Sequence, residues 1–69
     1  MTEIHPATAS LLRFFEYGHL PMHLQIVSEP FSDLAHSVAE TLDGPEAIVC
    51  LCKLLEAKDC AVRAALPRG

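Results

Sequence analysis

The chain has 69 residues, 51% of them apolar, and carries 5 Lys and Arg against 9 Asp and Glu for a net charge of −4. That is room for one small domain, whose single core is thin. The acidic balance argues against a polymeric nucleic acid partner, which calls for a basic stripe, and no apolar run approaches the roughly 18 residues of a membrane span.

Mean hydropathy is +0.28, high for so short a chain. One thin hairpin offers little interior for that apolar excess, so oligomerisation is expected. Three cysteines, an odd number, with no signal peptide pattern point to free thiols in a reducing cytosol.

Residues 1–6, MTEIHP, read as a flexible start. A first helix is predicted over about 7–17, with Thr8 or Ser10 as candidate caps and Gly18 as its left-handed stop. Pro21 then suits the first turn of a second helix, where its missing N–H is harmless.

The second helix is predicted over about 21–42. At helical spacing Leu24, Val27, Phe31, Leu34, Val38 and Leu42 form one apolar stripe, with Gln25, Glu29, Ser32, His36 and Glu40 opposite. Pro30 interrupts this pattern and predicts a kink near Val27–Ser28 or two shorter helices meeting there.

The clearest punctuation is LDGPE, residues 42–46. Gly44 closes one helix, Pro45 opens the next, and Glu46 suits the positive N-terminal end of the helix dipole. The third helix is predicted over about 45–66. One of its arcs carries Ile48, Leu51, Leu55, Val62 and Leu66. A neighbouring arc of mostly small residues carries Ala47, Cys50, Leu54, Ala57, Ala61 and Ala65. Two apolar arcs need two partners, one from the same chain and one from another. The expected fold is therefore all-α: a short N-terminal helix, then a long antiparallel helical hairpin, assembled as a homo-oligomer.

Lys58 is the most informative polar residue, because helical spacing projects it into the apolar arc among Leu51, Leu54, Val62 and Ala65. A lysine there must snorkel, pair with a carboxylate or meet an anion. Lys53 and Arg63 fall on the polar side of the same helix. There Asp59 and Arg63 have the spacing of an ordinary ion pair. At the end of the first helix Arg13, Phe14, Phe15 and Tyr17 crowd together. Cations beside aromatic faces suit a flat anionic ligand, since bases stack and guanidinium groups take phosphates bidentately. One of the two phenylalanines is equally expected to cap the core.

His19 and His23 have a spacing that would suit a metal on an unbroken helix, but Pro21 interrupts it. Cys50 and Cys52 point about 200° apart on a helix, so core or interface packing accounts for them better. No metal or other cofactor is expected. Serines, histidines and acids are present without a glycine loop or elbow to present them, and catalysis is not expected either.

The segments LLRFFEYGHLPMHLQIVSEPFSDLAHSVAETL and KLLEAKDCAVRAAL resemble small phage proteins of the helical-hairpin sponge family. That family comprises the anti-CBASS cyclic-oligonucleotide sponges and their anti-Thoeris relatives. The resemblance runs from about Leu11 to Leu66. It implies a compact homo-oligomer, commonly six chains, with nucleotide pockets where protomers meet in the cytoplasm of the infected bacterial host. Such sponges bind cyclic di- or trinucleotides or cyclic ADP-ribose derivatives and release them unchanged. Carried onto this chain, the resemblance implies stacking by Tyr17 or Phe15. Arg13, Lys53 and Arg63 would serve the phosphates, with His19 and His23 at the corner where an imidazole can donate to a phosphate. Better-known sponges have a basic entry to the hairpin where this chain reads LLRFFEYG. The alternative is a small helical module that docks on a host protein and blocks it. A weaker third reading is an assembly factor without a ligand.

Overall fold

The computed structural model describes residues 5–67, so the predicted flexible start lies outside the described residues for its first four positions. Among the described residues the chain is all-helical. It forms α1 (Pro6–Arg13), α2 (Met22–Thr41) and α3 (Pro45–Ala65). The body measures 44 × 19 × 15 Å. None of the described helices is long and apolar enough to cross a membrane.

α1 begins earlier and ends earlier than its pattern predicts. His5 is the N-cap: its Nδ1 accepts the Ala7 amide at 3.1 Å, and Pro6 stands at the first helical position, where no N–H is needed. Thr8 and Ser10 lie inside the helix and cap nothing. After Arg13 the winding tightens. The amides of Phe14, Phe15 and Glu16 donate to the carbonyls three residues back, at 3.1, 3.0 and 3.3 Å. This extra turn delivers Phe15 into the core, where it is fully buried.

Gly18 is not the left-handed stop the sequence predicts; the only positive φ among the described residues belongs to Gly44. The turn before α2 is fastened instead by the Leu20 amide, which donates to the Tyr17 carbonyl at 3.0 Å. Gln25 reinforces it by donating Nε2 to the Leu20 carbonyl at 2.8 Å and to that of Gly18 at 3.5 Å. Pro21 is the N-cap of α2, and its carbonyl accepts from Leu24 and Gln25. α2 runs on through Pro30, whose missing N–H deprives the Ile26 carbonyl of its usual helical partner.

The buried face of α2 is rotated from the predicted stripe. Leu24 is buried as expected, but its companions are Ser28, Ser32, Ala35 and Ala39, while Leu34 and Leu42 are exposed. Ser32, read as polar-face, is therefore a core residue. The turn over residues 14–20 packs on that flank, bonded there to Gln25 and, through Tyr17, to Glu29. Small side chains allow the close approach.

Gly44 has φ 89° and ψ 178°, a region that side-chain-bearing residues avoid. It lets α3 start at Pro45 and fold back along α2. The core gathers Leu12, Phe15, Ala35, Ala39 and Leu51, with Leu11, Phe31, Val38, Leu54 and Leu55 packed against it. Burying Phe15 and Leu51 contributes about 1.5–3 kcal/mol each. These two side chains lock α1 onto the hairpin.

A candidate anion site between the first and third helices

Docking α1 against the last turns of α3 opens a cleft of about 350 Å³, at the small end of the roughly 300–1,000 Å³ typical of ligand pockets. One wall is Arg13, Phe14, Glu16, His19 and Leu20. The other is Lys58, Asp59, Val62 and Arg63. Three of the five Lys and Arg residues of an otherwise acidic chain meet here. Two carboxylates, Glu16 and Asp59, partly offset them.

Each wall follows from its element. The tight turn after Arg13 sends Phe15 inward, so Phe14 is turned outward and remains 62% exposed. Lys58 lies on the α3 face that points toward α1, and its side chain is only 14% exposed. Its ammonium finds the neighbouring Asp59 carboxylate at 2.9 Å. Asp59 thus pairs with Lys58 and not with Arg63, the partner that the sequence spacing favours. The reason is burial: a half-buried ammonium seeks the closest compensating charge. Arg63 instead places a guanidinium nitrogen 3.3 Å from the Cys60 thiol, which leaves most of its donors available.

Of the residues singled out from sequence, the cleft unites Arg13, His19, Lys58 and Arg63. The others lie elsewhere. Lys53 makes an exposed pair with Glu56 at 3.6 Å. Phe15 is sealed in the core, with no face on which a base could stack. Tyr17 donates its hydroxyl to Glu29 of α2 at 3.3 Å. Desolvation and the nearby carboxylates of Glu29 and Asp33 raise its pKa above the ordinary tyrosine value. His23 is exposed on the first turn of α2 and does not line the cleft.

Phe14 is the residue that sequence reasoning left unassigned, though it stands beside Arg13. Adjacent helical residues point about 100° apart, so only one of Phe14 and Phe15 could enter the core. Which one was open until the turn geometry was known.

Chemically the cleft offers two guanidinium forks, an ammonium, an imidazole and one open aromatic face. Forks suit phosphate or carboxylate oxygens bidentately, and an aromatic face accepts any base. No serine, threonine or cysteine side chain lines it. Among the described residues no three His, Cys, Asp or Glu side chains are placed to share a metal ion, and Cys50, Cys52 and Cys60 are free thiols. No protein-family model, curated protein or solved structure matches this chain.

Proposed function

We propose that this protein is a ligand sponge: it binds a small phosphate-bearing nucleotide and holds it without chemical change. The observation that carries this reading is the convergence of Arg13, Lys58 and Arg63 beside the open ring of Phe14. In a chain of net charge −4, three cations in one cleft are a local reversal of sign. The ligand class is a cyclic di- or trinucleotide or a cyclic ADP-ribose derivative, in keeping with the resemblance of the hairpin segments to phage anti-defence sponges. The setting would be the cytoplasm of an infected bacterium, where sequestering such a signal silences the host effector.

In this reading the chain acts as a homo-oligomer. A cleft of this volume holds about one nucleotide unit of a cyclic dinucleotide, and a neighbouring protomer would enclose the rest. Pro30 would bend α2 so that its outer surface curves toward that neighbour. A second reading, a module that docks on and blocks a host protein, is favoured by the exposed Phe14, Met22, Ile26, Leu34 and Val49.

Calorimetry and thermal shift against cyclic dinucleotides, cyclic trinucleotides and cyclic ADP-ribose isomers separate the two. Binding to the folded state raises the melting temperature by mass action. A shift abolished by Arg13→Ala, with ligand recovered intact after heating, supports the sponge. No shift across the panel with folded protein removes it and leaves the docking module.

A further inference from the structure

The cleft holds two carboxylates, and they are not alike. Asp59 is paired with Lys58 at 2.9 Å. Glu16 takes part in no ion pair and no side-chain hydrogen bond among the described residues. Its amide donates to the Arg13 carbonyl at 3.3 Å, and a turn closed three residues back sets residues i and i+3 on the same side. Arg13 and Glu16 are therefore neighbours with the spacing of an ion pair, yet the pair does not form. An unpaired carboxylate in a phosphate site repels the phosphate. It favours a ligand only by bonding to some other part of it.

We propose that Glu16 determines specificity by selecting guanine, an inference that rests on the nucleotide-binding function proposed above. The open ring of Phe14 stands on the same wall as Glu16. A base stacked on that ring turns its hydrogen-bonding edge sideways, toward the lining side chains. An ionised carboxylate only accepts, and it does so through two oxygens.

Guanine alone among the four RNA bases carries two adjacent donors on its Watson–Crick edge, the ring N–H and the 2-amino group, and can meet both oxygens at once. Adenine and cytosine set an acceptor ring nitrogen beside the amino group. Uracil flanks its ring N–H with two carbonyl oxygens. Each of these three turns a lone pair toward the carboxylate, where a buried or stacked contact makes the mismatch costly. Ribose competes poorly for Glu16, because in a cyclic di- or trinucleotide each sugar keeps one free hydroxyl and offers one bond. Arg13, Lys58 and Arg63 carry donors only, so they suit the phosphates and cannot read the donor edge of guanine. Glu16 supplies what they lack.

Calorimetry of the full chain with cyclic di-GMP, cyclic di-AMP and cyclic di-IMP tests this; the inosine base keeps the ring N–H and lacks the 2-amino group. Wild type is expected to bind cyclic di-GMP about tenfold more tightly than cyclic di-AMP, with cyclic di-IMP between them. Glu16→Gln sets a donor beside an acceptor, which matches the adenine edge, and should abolish or reverse the preference. Glu16 is exposed, so the variant should keep the helical circular dichroism of wild type. If Glu16→Gln strengthens all three ligands alike, Glu16 only tempers the charge of the cleft. The proposal then falls and the nucleotide site stands. A loss of affinity that is equal for all three bases overturns it too, in favour of a sugar contact. No binding of any of the three by folded protein overturns it together with a cyclic dinucleotide as the ligand.

Discussion

The Lys58 ammonium lies 2.9 Å from the carboxylate of Asp59, its immediate neighbour in sequence, at the wall of the cleft. Asp59 therefore occupies the place that an anionic ligand oxygen would take. Replacing it should free Lys58 without emptying the cleft. Asp59→Asn is expected to tighten binding of a phosphate-bearing ligand by about three- to tenfold, roughly 1 kcal/mol. Lys58→Met, which keeps the stem, should weaken it by at least as much. Calorimetry at fixed low salt reads both, and the difference should shrink as salt is added.

Phe14 and Phe15 are adjacent, yet they should respond oppositely to truncation. Phe15→Ala removes a fully buried ring and is expected to cost about 3–5 kcal/mol. That is a third or more of the stability of a domain this size, on the order of 0.05–0.15 kcal/mol per residue. Phe14→Ala should leave the urea midpoint within about 0.5 kcal/mol of wild type and reduce nucleotide affinity. Equal loss of stability in both variants would contradict the assignment of the core.

The Ser28 hydroxyl is buried, and its oxygen has no hydrogen-bond partner. An unsatisfied buried hydroxyl opposes folding. Ser28→Ala is accordingly expected to stabilise the protein by about 1 kcal/mol, read as a higher urea midpoint at unchanged slope. Ser32 differs, because its carbonyl and hydroxyl lie 2.8 and 3.5 Å from Nδ1 of His36. Ser32→Ala should bring no such gain.

Tyr17 is the only tyrosine in the chain, so its ionisation can be followed directly by ultraviolet absorbance. Desolvation, then Glu29, then Asp33 hold its pKa above the ordinary value. The fold thus favours the neutral phenol. Its contribution to stability is complete below the unfolded-state pKa near 10 and is lost as pH rises through the higher folded-state value. Glu29→Gln should lower the measured pKa toward the ordinary value and flatten the alkaline loss of stability.

The hairpin was legible in the sequence because its signals are local. Gly44 and Pro45 act through backbone geometry alone, and α3 starts where they place it. α1 was misjudged at both ends. Its cap is a histidine, an uncommon capping residue, and the aromatic run after Arg13 continues an apolar pattern that the backbone abandons. The rotated face of α2 escaped for another reason. Ser28 and Ser32 count as polar on any wheel, yet tertiary packing buries both. Within the cleft Arg13, Lys58 and Arg63 could each be singled out by type and spacing. Their meeting depends on the docking of α1, which no periodicity encodes.

Gln25 never reaches the cleft, yet it holds the carbonyls of Gly18 and Leu20 on either side of His19, a lining residue. Its consequence is one of time. This side-chain amide braces one wall of the site beside the Leu20 amide and the buried Phe15 ring, so loosening it should shorten the stay of a bound ligand. Under the proposed sponge function, residence time decides whether a ligand is withheld. Gln25→Ala is therefore expected to shorten residence more than it slows capture, making a protein that still takes up its ligand but cannot keep it.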